Sequence, residues 1–103
     1  MKVREPLILN DGTRLSVQAS AMHYCRPRVD DASEYTSVEV GCYKPLPEFD
    51  EWANCVVSRS MGGINTYAGV PVHVVLNFIE AHGGVRSGEF PPMVAIAIVK
   101  PRS

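Results

Sequence analysis

Polar and apolar residues alternate along residues 13–25, and this stretch constrains the fold more than any other. Its apolar positions fall on every second residue at Leu15, Val17, Ala19 and Ala21. That spacing is the period of a β-strand with one buried face. Asn10-Asp11-Gly12 precedes it, and Asp-Gly supplies the positive φ that a tight hairpin turn requires. We therefore expect residues 5–9 and 13–25 to form an antiparallel hairpin.

The long second strand is expected to end at Arg26-Pro27-Arg28, because proline has no N–H to donate to a sheet. Residues 29–34 are then predicted to form an exposed acidic loop. Alternation resumes over residues 35–43. This third strand is expected to return antiparallel to the second, and the two together should form the middle of the sheet.

The main helix is predicted at about residues 71–82. Apolar side chains recur there at helical spacing: Val72, Val75, Leu76 and Ile79. Pro71 stands at the expected first helical position, and Gly83-Gly84 supplies a left-handed stop. Residues 70–74 also alternate as a strand would. We favour the helix because the pattern outruns a typical strand and ends on a helix stop signal.

Between these elements, the prolines of residues 44–47 interrupt the sheet pattern. Residues 48–54 are predicted to form a short helical turn, in which Phe49 and Trp52 are core or anchor aromatics. A short strand is expected at residues 55–59 and a glycine-containing loop at residues 60–65.

Residues 93–99 are a short apolar run, expected to form a last strand buried on both faces. The predicted fold class is therefore α+β: an antiparallel sheet of four to five strands with one main helix packed on it. The 103 residues leave room for one ordinary core, so residues 1–103 are predicted to form a single small domain.

The overall charge and apolar content disfavour several classes of partner. The net charge is −1, whereas a domain that binds nucleic acid usually has a basic excess. The longest apolar run is too short to span a membrane, and the first residues lack a signal-peptide core. Three cysteines without a CxxC spacing, Cys25, Cys42 and Cys55, favour a reducing compartment such as the cytoplasm.

Four segments carry a family likeness: VQAS at 17–20, HYC-x-PR at 23–28, VEVG at 38–41, and VPV-x-VV with HGG within 70–84. In order and spacing they resemble small uncharacterised proteins encoded by tailed bacteriophages and prophages, whereas residues 43–66 depart most. The resemblance implies a phage accessory protein that acts in the host cytoplasm. Such proteins commonly bind a host factor, and anti-defence action of the anti-CRISPR type is one such role.

Catalytic and metal-binding interpretations find little support. Strand alternation would place His23 and Cys25 on one face, where Cys42 from a facing strand could complete part of a soft metal site. No paired ligand motif, oxyanion-hole signal or orienting acid accompanies them. His82, just before Gly83, is better explained as a favourable cation near a helix C-terminus. We therefore predict no catalytic residue, no metal and no cofactor.

The predicted binding residues are Tyr24, Arg26 and Arg28. In an extended segment both arginines would point the same way and could hold an anion such as a phosphate, a nucleotide or an acidic patch. Arginine and tyrosine are also enriched at binding hot spots. The alternative is that the arginines neutralise acidic residues of the following loop: Asp30, Asp31 or Glu34.

These features predict a non-enzymatic phage accessory protein that binds a host protein or protein complex. An exposed edge on the first or last strand would also permit a homodimer by strand addition. Two alternatives stay open: a protein that sequesters a nucleotide or signalling molecule, and a structural component of the virion.

Overall fold

The computed structural model describes residues 3–42, 56–59 and 65–93, with the backbone alone for residues 56–59. The described elements in chain order are β1 (Leu7–Leu9), β2 (Arg14–Gln18), β3 (Ser37–Cys42), β4 (Val56–Arg59), β5 (Asn65–Pro71), α1 (Val72–Ala81) and β6 (Val85–Ser87). The strands form one antiparallel sheet in the order β4-β5-β3-β2-β1-β6. The predicted class is confirmed, and the short β6 extends the sheet beyond the four to five strands expected.

The predicted hairpin of β1 and β2 is confirmed. Leu7 pairs with Leu15, and Gly12 in the turn has a φ of 92°. β6 pairs with the other side of β1. β1 is therefore interior to the sheet, and the expected exposed edge on the first strand is wrong. The homodimer stays a prediction. Among the described strands, β4 and β6 are the two edges.

β2 and β3 form the middle of the sheet, as predicted. Leu15 lies opposite Cys42 and Val17 opposite Val40, and all four side chains are buried. Directly opposed residues of an antiparallel pair place their side chains on the same face. The alternation of polar and apolar residues therefore correctly predicts which face of β2 and β3 is buried.

β2 is shorter than expected, because it ends at Gln18 rather than continuing to Cys25. The side chain of Gln18 bonds the backbone of Arg4, accepting from its N–H at 2.8 Å and donating to its carbonyl at 2.7 Å. Ser20 then starts a turn, since its Oγ accepts from Met22 N–H. Such local side-chain bonds offer the backbone an alternative to the sheet ladder. His23 and Cys25 therefore do not lie on the strand as expected, although both are buried, as the alternation predicted.

β5 leads directly into the helix. Pro71 is the last residue of the strand, with φ −56° and ψ 138°, and occupies the N-cap position of α1 rather than the first helical position expected. The helix predicted at about residues 71–82 is confirmed, and α1 is one residue shorter than that range at each end. Gly83 and Gly84, with φ of 88° and 86°, form the predicted left-handed stop. β5 starts at Asn65, the residue at which the predicted loop ends.

α1 packs on the apolar face of the sheet. Its buried side chains are Val72, Val74, Val75, Leu76, Phe78 and Ile79. They join one core cluster with the inward residues of the strands and with Tyr35, which is fully buried. Within the described part of the chain, no helix is long and apolar enough to cross a membrane.

Some predictions fall on other parts of the chain. The short strand expected at residues 55–59 is confirmed as β4. Met93, the first residue of the expected last strand, makes an isolated parallel bridge with Tyr35. The predicted helical turn at 48–54, with Phe49 and Trp52, and residues 94–99 lie outside the described residues.

Candidate binding surface

Residues 21–29, here called the contact loop, carry most of the exposed large apolar side chains found among the described residues. Four large apolar side chains are exposed among the described residues, and three of them belong to this loop: Met22 at 68%, Tyr24 at 51% and Val29 at 46%. The fourth, Val3, lies elsewhere in the sequence. Single exposed apolar residues are ordinary, but a concentration of them marks an interaction surface.

A polar network lies directly under the contact loop. The Oγ of Ser20 is 2.6 Å from Nδ1 of His23 and accepts from Met22 N–H at 3.0 Å. The thiol of Cys25 donates to the Ser20 carbonyl at 3.2 Å. Ser20, His23 and Cys25 are all buried. The exposed side chains of the loop therefore alternate with buried ones that hold its backbone in place.

The loop is also bonded to the sheet. Arg26 N–H donates to the Ser37 carbonyl at 3.1 Å, and Thr36 N–H donates to the Arg26 carbonyl at 2.8 Å. Gly69 N–H of β5 donates to the Tyr24 carbonyl at 2.9 Å. Backbone groups bonded in this way fix the loop against two strands of the sheet.

Arg28 is held by its own side-chain contacts. Its guanidinium carbon lies 4.8 Å from the centre of the Tyr24 ring, and its Nε donates to the Ala21 carbonyl at 3.2 Å. Asp30 accepts from Ala21 N–H at 3.1 Å, which closes the loop behind Arg28. Stacking and the Nε bond together determine where the guanidinium lies.

The predicted neutralisation of the arginines by local acidic residues is not found. No ion pair joins Arg26 or Arg28 to a carboxylate in the part of the chain that the structure describes. The two arginines also have different surroundings. Arg26 is fixed through its backbone, whereas Arg28 is fixed through its side chain. The expected two-pronged clamp thus stays a prediction, while Tyr24 and Arg28 do form one contact surface.

Ser20, His23 and Glu39 follow one another in space as hydroxyl, imidazole and carboxylate. His23 Nε2 lies 3.9 Å from Glu39 Oε2. This order resembles an activated nucleophile. However, Ser20 is 2% exposed and its Oγ already accepts from Met22 N–H. We interpret the three residues as support for the contact loop. No local sequence pattern indicates the contribution of Glu39, which lies on β3.

A second polar cluster joins the first hairpin to the end of α1. His82 Nδ1 lies 2.5 Å from Asp11 Oδ2 and 3.2 Å from Thr13 Oγ1. Hydrogen bonds from the backbone and side chain of Thr13, and then the contact with His82, lower the pKa of Asp11 from 3.8 to about 2. His82 was expected to act on the helix C-terminus, but the structure gives it a direct side-chain partner.

The described cysteines are buried thiols. Burial raises the pKa of Cys25 above its ordinary value and that of Cys42 to about 11, so neither is a ready nucleophile. Among the described residues, no three side chains of the His, Cys, Asp and Glu types come together as metal ligands. Of the predicted site residues, Tyr24, Arg26 and Arg28 lie on the contact loop, and the structure adds Met22 and Val29.

Comparison with known proteins finds no relative of this chain. No family model matches the chain. No curated protein matches it, and no solved structure does. The likeness to phage and prophage proteins therefore stays a prediction from the sequence, and inference about function depends on the geometry of the contact loop.

Proposed function

We propose that this protein is a non-enzymatic phage or prophage accessory protein that binds a host protein through the contact loop. The observation that carries the proposal is that Met22, Tyr24 and Val29 are exposed on a loop whose backbone is bonded to the core. The phage origin and the host cytoplasm come from the sequence likeness alone. Modulation of a host function, including anti-defence action, would follow from such binding.

The composition of the surface supports a protein partner. Aromatic residues, methionine and arginine are enriched in protein interfaces, and tyrosine and arginine are enriched among their hot spots. Tyr24, Met22 and Arg28 supply these types within seven consecutive residues, 22–28. A net charge of −1 adds no general attraction for nucleic acid.

Preorganisation of the loop supports the same proposal. Binding is weakened by the entropy lost when flexible groups become ordered. Here the Tyr24 carbonyl is already bonded to Gly69, Arg26 is bonded to Ser37, and Arg28 is stacked on Tyr24. The contact side chains are therefore displayed in a fixed arrangement before a partner arrives.

Affinity capture with matched variants tests the proposal. Immobilised wild type, Met22→Ala, Tyr24→Ala and the control Val3→Ala are exposed to bacterial lysate, and captured proteins are quantified by mass spectrometry. Val3 is as exposed as Met22 but lies outside the loop, at 65% against 68%. We expect a host protein that wild type and Val3→Ala retain and both loop variants lose. Equal retention by all four, or no specific capture by wild type, contradicts the proposal.

A second candidate function is the sequestration of a nucleotide or signalling molecule. The observation that favours it is Arg28 beside the Tyr24 ring, with no carboxylate paired to it among the described residues. Such an arrangement suits a phosphate next to a stacked base. Thermal shift against a nucleotide panel tests it. Stabilisation that persists in an Arg26→Ala, Arg28→Ala variant would contradict binding at this position.

A further inference from the structure

We propose that the contact loop recognises an acidic peptide segment, in which an aspartate or glutamate lies next to a large apolar side chain. This inference rests on the proposed function, since it names the chemistry of the partner at the same surface. The carboxylate would bind the terminal nitrogens of Arg28, and the apolar side chain would pack on Met22, Tyr24 and Val29.

Arg28 is arranged to take a carboxylate. Its Nε is already engaged with the Ala21 carbonyl at 3.2 Å, and the guanidinium is stacked on Tyr24. Neither terminal nitrogen of Arg28 donates a hydrogen bond to another described residue. These nitrogens form the end of a planar fork, and that geometry matches both oxygens of a carboxylate. Because the fork is held in advance, less conformational entropy is lost on binding.

The charge at the Arg28 fork favours an acidic partner. The formally charged side chains within residues 21–29 are Arg26 and Arg28. The acidic residues that follow the loop are Asp30, Asp31 and Glu34, and among the described residues no ion pair joins them to either arginine. A partner carboxylate at the fork therefore meets an unpaired cation, whereas a basic side chain there would meet like charge.

The apolar neighbours favour a peptide over nucleic acid. Met22 is 68% and Val29 46% exposed, and burying such side chains against apolar groups is favourable. A phosphate backbone offers them no apolar surface to cover. Nucleic-acid binding without sequence preference usually combines a basic groove with several stacking aromatics, whereas Tyr24 is the aromatic residue of this loop.

Selection from a library of short random peptides displayed on phage tests the inference. The wild-type protein, Arg28→Gln and Met22→Ala are each immobilised, and bound peptides are sequenced. We expect wild type to enrich peptides with an acidic residue beside an apolar one. Arg28→Gln should lose the acidic preference, and Met22→Ala the apolar one. For a selected peptide made synthetically, Arg28→Gln should weaken binding by roughly tenfold or more, the scale of a charge-assisted hydrogen bond.

The outcomes separate this inference from the proposed function. If selected peptides depend on Met22 but show no acidic preference and bind Arg28→Gln equally well, the acidic partner is overturned and the proposed function stands. If wild type and both variants select the same peptides, the inference and the contact loop as the binding surface both fall. If none of them selects a peptide, the acidic-peptide inference is overturned, and the capture from lysate decides the proposed function. In a parallel assay by fluorescence anisotropy, oligothymidylate binding that Arg28→Gln abolishes would assign the loop to nucleic acid and overturn the inference.

Arg28→Lys separates charge from geometry. Lysine keeps the positive charge but lacks the planar fork and its stacking on Tyr24. We expect it to recover only part of the affinity that Arg28→Gln loses, and the salt dependence of binding to remain close to that of wild type. Full recovery by lysine would show that a point charge suffices, which would overturn the role of the held fork.

Discussion

The carboxylate of Asp11, in the turn of the first hairpin, lies 2.5 Å from Nδ1 of His82, which is 71 residues away at the end of α1. Thr13 Oγ1 lies 3.2 Å from the same nitrogen. Asn10 adds a side-chain bond to the Gly83 carbonyl at 2.6 Å and a backbone bond to the Gly84 carbonyl at 2.9 Å. The hairpin turn and the helix stop are therefore joined by side-chain and backbone contacts.

The replacement Asp11→Asn should make stability less dependent on acid. Hydrogen bonds from Thr13 and the contact with His82 lower the pKa of Asp11 from 3.8 to about 2. A carboxylate whose pKa is lower in the folded state than in the unfolded state stabilises the fold at pH values above the unfolded-state pKa. That stabilisation is lost as the pH falls through the folded-state pKa. The variant should thus melt below wild type at pH 7, and the difference should close between pH 4 and pH 2.

Thermal unfolding followed by circular dichroism across this pH range measures the difference. Glu34→Gln, which removes a carboxylate at an exposed position, is the matched control and should show no comparable closing. A gap between Asp11→Asn and wild type that does not change with pH would contradict the role of the carboxylate charge.

Much of the fold could be predicted because its signals are local. The alternation in β2 and β3, the Asp11-Gly12 turn and the double-glycine stop each act within a few residues. The end of β2 could not be predicted, since it depends on the turn that Ser20 forms. β5 was missed because Asn65 and Gly69 are poor strand formers, and pairing with β3 overrides that preference.

The contact loop was predictable in part. Tyr24, Arg26 and Arg28 were identified from residue type, since tyrosine and arginine are common in binding surfaces. The polar network that supports the loop could not be predicted, because it joins Ser20 and His23 to Glu39 of the next strand. Contacts between distant residues are set by the register of the sheet, which a local pattern does not specify.

Replacing Gly88 with alanine should destabilise the protein far more than the same change at Gly69. A Cβ at Gly88 would lie 2.5 Å from the Pro6 carbonyl oxygen and 2.6 Å from the Leu7 Cα, both backbone atoms that cannot move aside cheaply. At Gly69, which also has a positive φ, nothing lies within 4 Å. Gly69→Ala should cost about 1–2 kcal/mol for its left-handed backbone, and Gly88→Ala more than about 3 kcal/mol.

Urea unfolding of the two variants, compared with wild type, gives both free energies. Both glycines have a positive φ, 60° at Gly69 and 117° at Gly88, and of the two only Gly88 is crowded. The difference between the two losses therefore reports the steric overlap together with the less favourable φ of Gly88. Equal losses at the two positions would show that the close approach to Pro6 and Leu7 is absent.

The hydroxyl of Tyr35 should contribute measurably to stability. Tyr35 is fully buried, and its hydroxyl donates to the Val29 carbonyl at 2.7 Å and accepts from Ala32 N–H at 3.3 Å. Tyr35→Phe leaves these backbone groups without their partner, which costs about 1–3 kcal/mol. Tyr24→Phe is the control, since that ring is half exposed. Equal unfolding free energies for the two variants would contradict the prediction.

Cys42 should react slowly with alkylating reagents in the native protein. Burial raises its pKa to about 11, so at pH 8 roughly a thousandth of this thiol is thiolate, the reactive form. Labelling with iodoacetamide, followed by peptide mass spectrometry, measures the rate at Cys42 itself. Labelling in urea is the control and should be far faster. Native and unfolded rates that agree would mean that Cys42 is not buried.

Removing the hydroxyl of Ser20 should loosen the contact loop while the sheet stays intact. The Oγ accepts from Met22 N–H at 3.0 Å and lies 2.6 Å from His23 Nδ1, and Ser20 is almost fully buried. In Ser20→Ala, His23 Nδ1 loses its partner in a buried setting, which costs about 1–3 kcal/mol, and the partly buried Met22 N–H loses its acceptor. The Met22 amide should therefore exchange its hydrogen faster, by roughly tenfold or more, since 1.4 kcal/mol is tenfold in an opening equilibrium.

Hydrogen exchange followed by NMR resolves the effect residue by residue. The amide of Val40 in β3 should keep its wild-type rate, since it lies in the middle of the sheet, and Ser33→Ala, at an exposed position, should change neither amide. If the loop works as a preorganised surface, Ser20→Ala should also weaken partner binding although it removes no exposed contact group, because the entropy of ordering the loop is then lost at binding. Unchanged exchange at Met22 would mean that the Ser20 hydroxyl does not hold the loop, and unchanged affinity beside faster exchange would mean that binding does not depend on its rigidity.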